Sequence, residues 1–369
     1  MDYTILRYGS LYGPRANEFN FISKVSKRTV RELVSQSLSE LVVKRKLPFV
    51  SLSAFPDGSN SIFIFRIDTD FASIEDVENM YRICSKHQIP ATWFVETESC
   101  QTWLHRYADM TNQDIGLHCF KHRIARKYAG NEKNVNKGKS ALRINGINPK
   151  GYAAPFGEWN YSLNKALEHH GFQYSSEFSL DYDNLPFKPV LNERFSSILQ
   201  IPIHPISIGS LRNARHSTME MVKYYDAVID EHILSQLPII FYDHPANTNL
   251  EVLDQVFQTI GEKNIPKLSM GDYSDWWLIR EKTTWEAKLN NGRLYLSTKE
   301  PKNGVQVNVF RDQQNCTISL DNNALDMNEL KWATNQSTPL QIPHISMRAR
   351  LNYKMILNDI LHNYWKYKL

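Results

Sequence analysis

Between residues 60 and 280, short β-rich runs alternate regularly with amphipathic stretches, and this pattern limits the folds that the chain can adopt. In SIEDVENMYRICSKHQ the apolar side chains recur at helical spacing: Val77, Met80, Tyr81 and Cys84. Predicted strands are SIFIFRI, ATWFVE, DIGLHC, KGYAA, FQYSSEF, ILQIPI and LPIIFYDH. Repeated βα units predict a parallel sheet, and about six to eight of them favour a barrel. We therefore predict an α/β fold, a distorted (β/α) barrel of about seven units.

The pattern changes after residue 280, where alternating strands follow one another without intervening helices. The turn sequences NNG, KNG and DNN separate these strands and predict a small antiparallel β appendage. Trp285 or Tyr295 could bind sugar there, but a packing role is favoured. The predicted division is an N-terminal segment and helix over 1–47, the barrel over 48–280, the appendage over 281–345, and an amphipathic helix over 346–369.

Composition excludes some classes of protein. The 43 basic and 39 acidic residues are spread along the chain, which does not favour nucleic-acid binding. The four cysteines have no CxxC spacing, so reduced thiols are expected. No signal peptide and no run of about 18 apolar residues is seen, so a cytoplasmic protein is expected. The basic amphipathic stretch 27–46 is expected to dock on the barrel; membrane association through it is allowed but not favoured.

Two aspartates follow the strand run FIFRI. Because side chains alternate between the faces of a strand, Asp68, Asp70 and Arg66 are expected on one face. Two adjacent carboxylates repel each other and lose solvation, so such a pair usually holds a cation or a proton. In a purely structural interpretation, Asp70 would cap the next segment and Asp68 would be exposed at a turn.

Three more polar motifs follow predicted strands. His118 and His122 are spaced to lie on one side of a helical turn, which suits a divalent metal. With one carboxylate they would form a three-ligand site of the kind that zinc hydrolases use. Pro155, Phe156 and Gly157 form a turn whose backbone N–H could face an oxyanion. His244 follows the most apolar strand and could act as a general acid.

These motifs resemble, over roughly residues 48–280, those of the polysaccharide deacetylase family, carbohydrate esterases that share the nodulation-deacetylase homology domain. The motifs DTD, HCFKH, AAPFG, LDYDNLP and YDHP occur in the family's order. The stretches YSSEF and YSDWW look like the subgroup that acts on cell-envelope or capsular sugars.

The resemblance implies a role for each matching residue. Asp70, His118 and His122 would bind the metal, most favourably zinc, although cobalt, nickel or iron would suit the same ligands. Asp68 would be the general base that activates water, and His244 would protonate the departing amine. The backbone N–H of Phe156 would stabilise the oxyanion. The implied reaction is hydrolysis of an N-acetyl group on an amino sugar.

The chain departs from the family pattern at one position. The family's third motif begins with an arginine that steadies the base aspartate, and here that residue is Ala153. We expect Arg66 to replace it, because it precedes Asp68 by two residues on the same strand face. The fourth motif is loose, so either Asp181 or Asp183 could support His244.

Three functional hypotheses follow. The first is a deacetylase acting on a surface polysaccharide or its precursor; the second is a deformylase or deacylase of a lipid-linked sugar; the third is a catalytically silent sugar-binding barrel. Residues 4–22 also resemble the substrate-side segment of nucleotide-sugar epimerases. Since the chain lacks the GxGxxG turn of those enzymes, epimerase activity is excluded.

Overall fold

The structure, a computed structural model, describes residues 27–299, 304–312, 314–321 and 324–334. A parallel sheet of seven strands forms its centre. In spatial order these are β10 (Ile239–Asp243), β2 (Phe63–Asp68), β3 (Thr92–Glu96), β4 (Asp114–Cys119), β5 (Gly151–Tyr152), β6 (Tyr174–Ser175) and β9 (Leu199–Gln200). Each predicted strand of the alternating region is present.

Helices connect most of these strands. They are α1 (Lys27–Val43), α2 (Ile74–Lys86), α3 (His105–Ala108), α4 (Tyr128–Ile144), α5 (Tyr161–His169), α6 (Ile208–Asn213), α7 (Thr218–Leu234), α8 (Leu250–Glu262) and α9 (Met270–Lys282). The connection between β6 and β9 instead contains a short hairpin, β7 (Val190–Leu191) and β8 (Arg194–Phe195).

The sheet curls until its two edges meet. Just beyond β9, the backbone N–H of His204 donates to the carbonyl of Ile240 in β10, at 2.8 Å. This bond joins the edges of an otherwise open half-barrel. The predicted distorted (β/α) barrel with a C-terminal antiparallel appendage is therefore confirmed.

Alternation along the strands divides the apolar residues into two layers. Phe63 and Phe65 of β2 lie in the outer layer, between the sheet and the helices. Ile64 of β2 and Tyr242 of β10 lie in the inner layer, inside the curl. Arg66 and Asp68 lie two and four residues after Ile64 on the same strand, so their side chains also point inward.

Helix α9 packs at the amino ends of the strands. The N–H of Met270 donates to Thr92 Oγ1 at 2.8 Å, and the N–H of Gly271 donates to Asp114 Oδ2 at 3.1 Å. Thr92 and Asp114 are the first residues of β3 and β4. Because this end of the curled sheet is covered, the carboxyl ends of the strands form the accessible mouth.

The antiparallel appendage contains two sheets. One has the order β1 (Phe49–Leu52), β13 (Gln306–Arg311), β14 (Gln314–Ser319) and β16 (Ala333–Thr334). The other has the order β11 (Trp285–Asn290), β12 (Arg293–Thr298) and β15 (Ala324–Asp326). Strand β1 thus pairs with the appendage, although it lies within the range predicted for the barrel. Trp285 packs against the appendage's apolar cluster, as the packing interpretation expected, whereas Tyr295 is exposed.

Helix α1 contacts the barrel through its basic residues. Arg28 donates to Glu231 at 3.0 Å, and Arg31 bonds to Asn184. Within the part of the chain that the structure describes, no helix is both long and apolar enough to cross a membrane. The epimerase-like residues 4–22 and the helix predicted over 346–369 lie outside the described residues.

Candidate active site

The polar motifs converge at the carboxyl edge of the curled sheet. Asp68 is the last residue of β2, and Asp70 follows it by two residues. His118 lies near the end of β4, and His244 directly follows β10. In barrels of this kind, residues at the carboxyl ends of the strands face a common mouth. The structure therefore brings together side chains that are up to 176 residues apart in the sequence (Asp68 and His244).

The Asp70 carboxylate lies between two imidazoles. Its Oδ1 is 2.8 Å from His118 Nε2, and its Oδ2 is 3.1 Å from His122 Nε2. Tetrahedral zinc with bonds of about 2.0–2.1 Å places its ligand atoms about 3.3 Å apart. The three side chains thus have the spacing of a compact metal site.

The protonation of His118 supports this interpretation. Its Nδ1 lies 2.7 Å from the carbonyl oxygen of Ala153, which can only accept, so Nδ1 carries the proton. In the neutral ring, Nε2 then presents a lone pair to Asp70. Asp70 Oδ1, His118 Nε2 and His122 Nε2 are all buried and make no hydrogen bond within the described part of the chain. Three buried, converging acceptors fit a divalent metal.

His122 is not on a helix, contrary to the prediction from its spacing. His118 belongs to a strand, and His122 lies in the bend that follows it. Asn134 of α4 holds this bend: its Oδ1 accepts from the N–H groups of Phe120 and Lys121 at 3.1 and 2.8 Å. Its Nδ2 donates to the carbonyls of Lys121 and Arg123 at 2.9 and 3.0 Å. A tertiary contact, not helical periodicity, brings His122 to Asp70.

Asp68 is held by Arg66 in a bidentate pair. Arg66 Nε and Nη2 donate to Asp68 Oδ1 and Oδ2 at 2.7 and 2.6 Å. Burial raises the pKa of the Asp68 carboxyl, but the Arg66 charge and these hydrogen bonds outweigh burial, so its pKa lies below the usual value. Asp68 is only 3% exposed, which contradicts the interpretation of an exposed turn residue. Nor does Asp70 cap the next helix, because Ser73 caps α2.

The guanidinium of Arg66 is enclosed by the inner layer. The rings of Phe94 and Tyr242 lie 5.4 and 5.6 Å from it, and Nη1 donates to the carbonyl of Ser176. Ala153 belongs to the same inner cluster as those two rings. Asp68 therefore receives a buried cation from its own strand, β2.

Two aromatic rings flank His122. The Phe156 ring is 4.7 Å from the imidazole and the Phe71 ring is 5.4 Å away. Both residues have positive φ, 60° and 50°, in the left-handed region that residues other than glycine rarely adopt. Gly157 also has positive φ, and a Cβ there would lie 2.3 Å from Phe178. The Pro155–Gly157 turn is thus fixed tightly beside His122, and the role of the Phe156 N–H stays a prediction.

His244 lies at the rim of the group. Its Nε2 is 3.5 Å from Asp70 Oδ2, and its Nδ1 is 4.0 Å from Asp243 Oδ1. Asp243 is fully buried, and its Oδ1 accepts from the N–H of His244 at 2.9 Å. Asp243 was not among the residues predicted from the sequence, although it stands in the same YDHP motif.

The predicted support of His244 by Asp181 or Asp183 does not agree with the contacts. Asp181 accepts from Asn184 at 2.7 Å, and Asp183 lies 3.0 Å from His204 Nδ1. Among the described residues, the carboxylates within 4.0 Å of the His244 ring are those of Asp70 and Asp243. In the segment between β6 and β9, Asp181 and Asp183 contact residues other than His244, and the motif alone could not predict these contacts.

Glu177 is a second site residue that was not predicted from the sequence. It is fully buried, accepts from the N–H of Ala154 at 3.2 Å, and accepts from Ser175 Oγ at 2.8 Å. Burial raises the pKa of Glu177 to about 7, against the opposing effect of the Arg66 charge. Its place in the YSSEF stretch was the available signal. Glu177 fixes the backbone that carries the carbonyl of Ala153.

Comparison with known proteins agrees with the motifs. Residues 68–175 match the sequence model of the family described as polysaccharide deacetylase. A peptidoglycan deacetylase of Helicobacter pylori is 26% identical over 133 residues, which cover 35% of this chain and 45% of that protein. The chain therefore aligns with less than half the length of this curated relative. The predicted resemblance to the family is confirmed.

Two solved structures share the fold. A Mycobacterium smegmatis protein assigned as a polysaccharide deacetylase superposes with a TM-score of 0.53 at 16% identity, covering 63% of this chain and 94% of that one. Puue allantoinase superposes with a TM-score of 0.52 at 14% identity, covering 63% and 95%. At these identities the similarity shows the fold alone.

Proposed function

We propose that this chain, of which residues 68–175 match the polysaccharide deacetylase family, is a metal-dependent hydrolase removing an N-acetyl group from an amino sugar of a surface polysaccharide or its precursor. One observation carries this proposal. Three buried ligand atoms, of Asp70, His118 and His122, converge without hydrogen bonds beside a carboxylate, Asp68, that a buried arginine orients.

Asp70, His118 and His122 would hold the divalent metal, and zinc is favoured by two imidazoles and one carboxylate. When bound, zinc would act as a Lewis acid on the amide carbonyl and on the attacking water. The site is reachable from solvent, because the side chains of Asp70 and His244 are 22% and 24% exposed. A sugar amide could therefore enter from the mouth of the barrel.

The chain's own residues would move the protons. Asp68 remains deprotonated because Arg66 lowers its pKa, so it can accept a proton from the attacking water. The C–N bond then breaks as His244 donates a proton to the departing amine, and acetate and the free amino sugar are released. The N–H of Phe156 would donate to the oxyanion.

The test combines metal content with acetate release. Elemental analysis of the wild type and His118→Ala should show a metal equivalent that the variant loses. Assays with N-acetylglucosamine oligomers and nucleotide-linked N-acetyl sugars should release acetate, and Asp68→Asn should abolish this while retaining metal. Asp109→Asn, on the surface, is the matched control. Metal without acetate release from any of these substrates would support the silent sugar-binding barrel instead.

A second candidate, deacylation of a lipid-linked sugar, has one supporting observation. Helix α1 is followed by the basic residues 44–46 and exposes large apolar side chains: Val30, Leu33, Val34, Leu38 and Leu41. Such a helix can bind an anionic membrane surface. Sedimentation with vesicles containing phosphatidylglycerol should retain the wild type but not a Leu38→Gln/Leu41→Gln variant. Equal recovery of both proteins in the supernatant would remove this candidate.

A further inference from the structure

Outside the active site, a second group of metal-binding residue types is fully enclosed. Asp183 follows β6, His204 follows β9, and His232 lies near the end of α7. Their relative exposures are 5%, 1% and 1%. The ligand atoms of all three lie within 4.8 Å of one another. The group shares no residue with the active site but has the same donors, two imidazoles and one carboxylate.

The distances in this group resemble those of the active-site group. Asp183 Oδ1 is 3.0 Å from His204 Nδ1 and 3.4 Å from His232 Nε2. These values bracket the separation of about 3.3 Å expected between ligand atoms of tetrahedral zinc. Glu231 Oε2, 3.5 Å from His232 Nε2, flanks the group and could complete the coordination.

The second nitrogen of each imidazole is already engaged. His232 Nδ1 lies 2.9 Å from the carbonyl oxygen of Pro238, which can only accept, so this nitrogen carries the proton. His204 Nε2 lies 2.9 Å from the hydroxyl of Tyr224, and its Nδ1 is within hydrogen-bond distance of both Asp183 oxygens, at 3.0 and 3.2 Å. Metal-binding histidines typically use their other nitrogen in this way, which fixes the ring and its tautomer.

His232 Nε2 supplies the independent observation. It is buried and makes no hydrogen bond within the described part of the chain. Its separation from Asp183 Oδ1 is 3.4 Å, which is long for a hydrogen bond. A metal ion, in contrast, requires a lone pair and a carboxylate oxygen to converge in this way.

We propose that Asp183, His204 and His232 form a second, structural site for a divalent metal of the zinc type. It would connect the chain after β6, the chain after β9 and the end of α7. These segments meet where the His204 N–H closes the barrel on Ile240. Because the group is enclosed, the ion stabilises this seam and does not contact substrate.

The test is zinc stoichiometry on untagged full-length protein, loaded with excess zinc chloride and desalted. The wild type should hold about two zinc equivalents, His118→Ala and His232→Gln about one each, and the double variant none. His87→Gln, at the end of α2, is the matched control and should hold two. A folded wild type with a single zinc that His118→Ala removes entirely would overturn the proposal.

A second measurement keeps the proposal testable if His232→Gln fails to fold. His118→Ala, which lacks the active-site ligand, should lose at least about 5 °C of melting temperature in EDTA and regain it with zinc chloride. An unchanged melting temperature would contradict a structural ion. Neither readout depends on hydrolysis, so failure of this proposal is distinguishable from failure of the proposed deacetylase function.

Discussion

The guanidinium of Arg66 binds both carboxylate oxygens of Asp68 from two residues earlier on the same strand, at 2.7 and 2.6 Å. Both side chains are buried, and Ala153 stands where the family pattern has its arginine. The pairing gives the proposed base an orientation and a lowered pKa.

Replacing Arg66 by Met should impair the base. The Asp68 carboxylate would lose its nearby cation in a buried site, so its pKa should rise. The pH below which kcat/KM falls should therefore increase by at least about one unit. Acetate release measured across pH checks this. Arg280→Met, which removes a partly buried arginine bonded to the carbonyls of Ser53 and Leu52, should leave this pH unchanged. An unchanged value in Arg66→Met would contradict the assigned partnership.

Asn134→Ala should weaken metal binding without removing a ligand. Its amide makes four hydrogen bonds to the bend that carries His122, so the bend should loosen. Loss of such supporting contacts typically costs about 10–100-fold in metal affinity. Competition with a chromophoric chelator measures the change. Asn145→Ala, directly after the same helix, loses one bond to Ala141 and should keep wild-type affinity; equal affinities in both variants would argue against this role.

Phe71→Ala should affect substrate binding more than chemistry. The ring is 65% exposed beside His122, where a sugar could stack on it. We expect KM to rise about 5- to 20-fold, equivalent to about 1–2 kcal/mol, with kcat within about twofold. Steady-state kinetics on N-acetylglucosamine oligomers separates the two constants. Ile144→Ala, exposed at the end of α4, serves as the control, and a loss confined to kcat would exclude a binding role.

Glu177 should make folding stability depend on pH. Its pKa is raised from 4.5 to about 7, so the folded state retains a proton that the unfolded state releases. The associated stability is present below pH 4.5 and is lost as pH rises through about 7. In urea unfolding, the fall in the free energy of unfolding between pH 5 and 8 should be smaller in Glu177→Gln by about 2 kcal/mol. The exposed Glu262→Gln should behave as the wild type, and an identical fall in Glu177→Gln would show that burial does not raise this pKa.

Much of the site was predictable because it depends on local spacing. Residues two apart on a strand share a face, so the contact of Arg66 with Asp68 follows from the β2 sequence once that strand is recognised. Parallel strands place their carboxyl ends at one edge, so Asp70, His118 and His244 were expected together before any distance was known.

Contacts between segments distant in sequence could not be predicted in the same way. His122 reaches Asp70 because Asn134 holds a bend, and Asp183 faces His204 and His232 although its motif suggested His244. Glu177 and Asp243 are buried only because several strands pack around them in the folded protein. The βα repeat, the strand ends and the residue types of the site were predictable, since they follow from periodicity within single elements. Which carboxylate faces which histidine was not predictable, because it depends on how loops of unrelated sequence pack against one another.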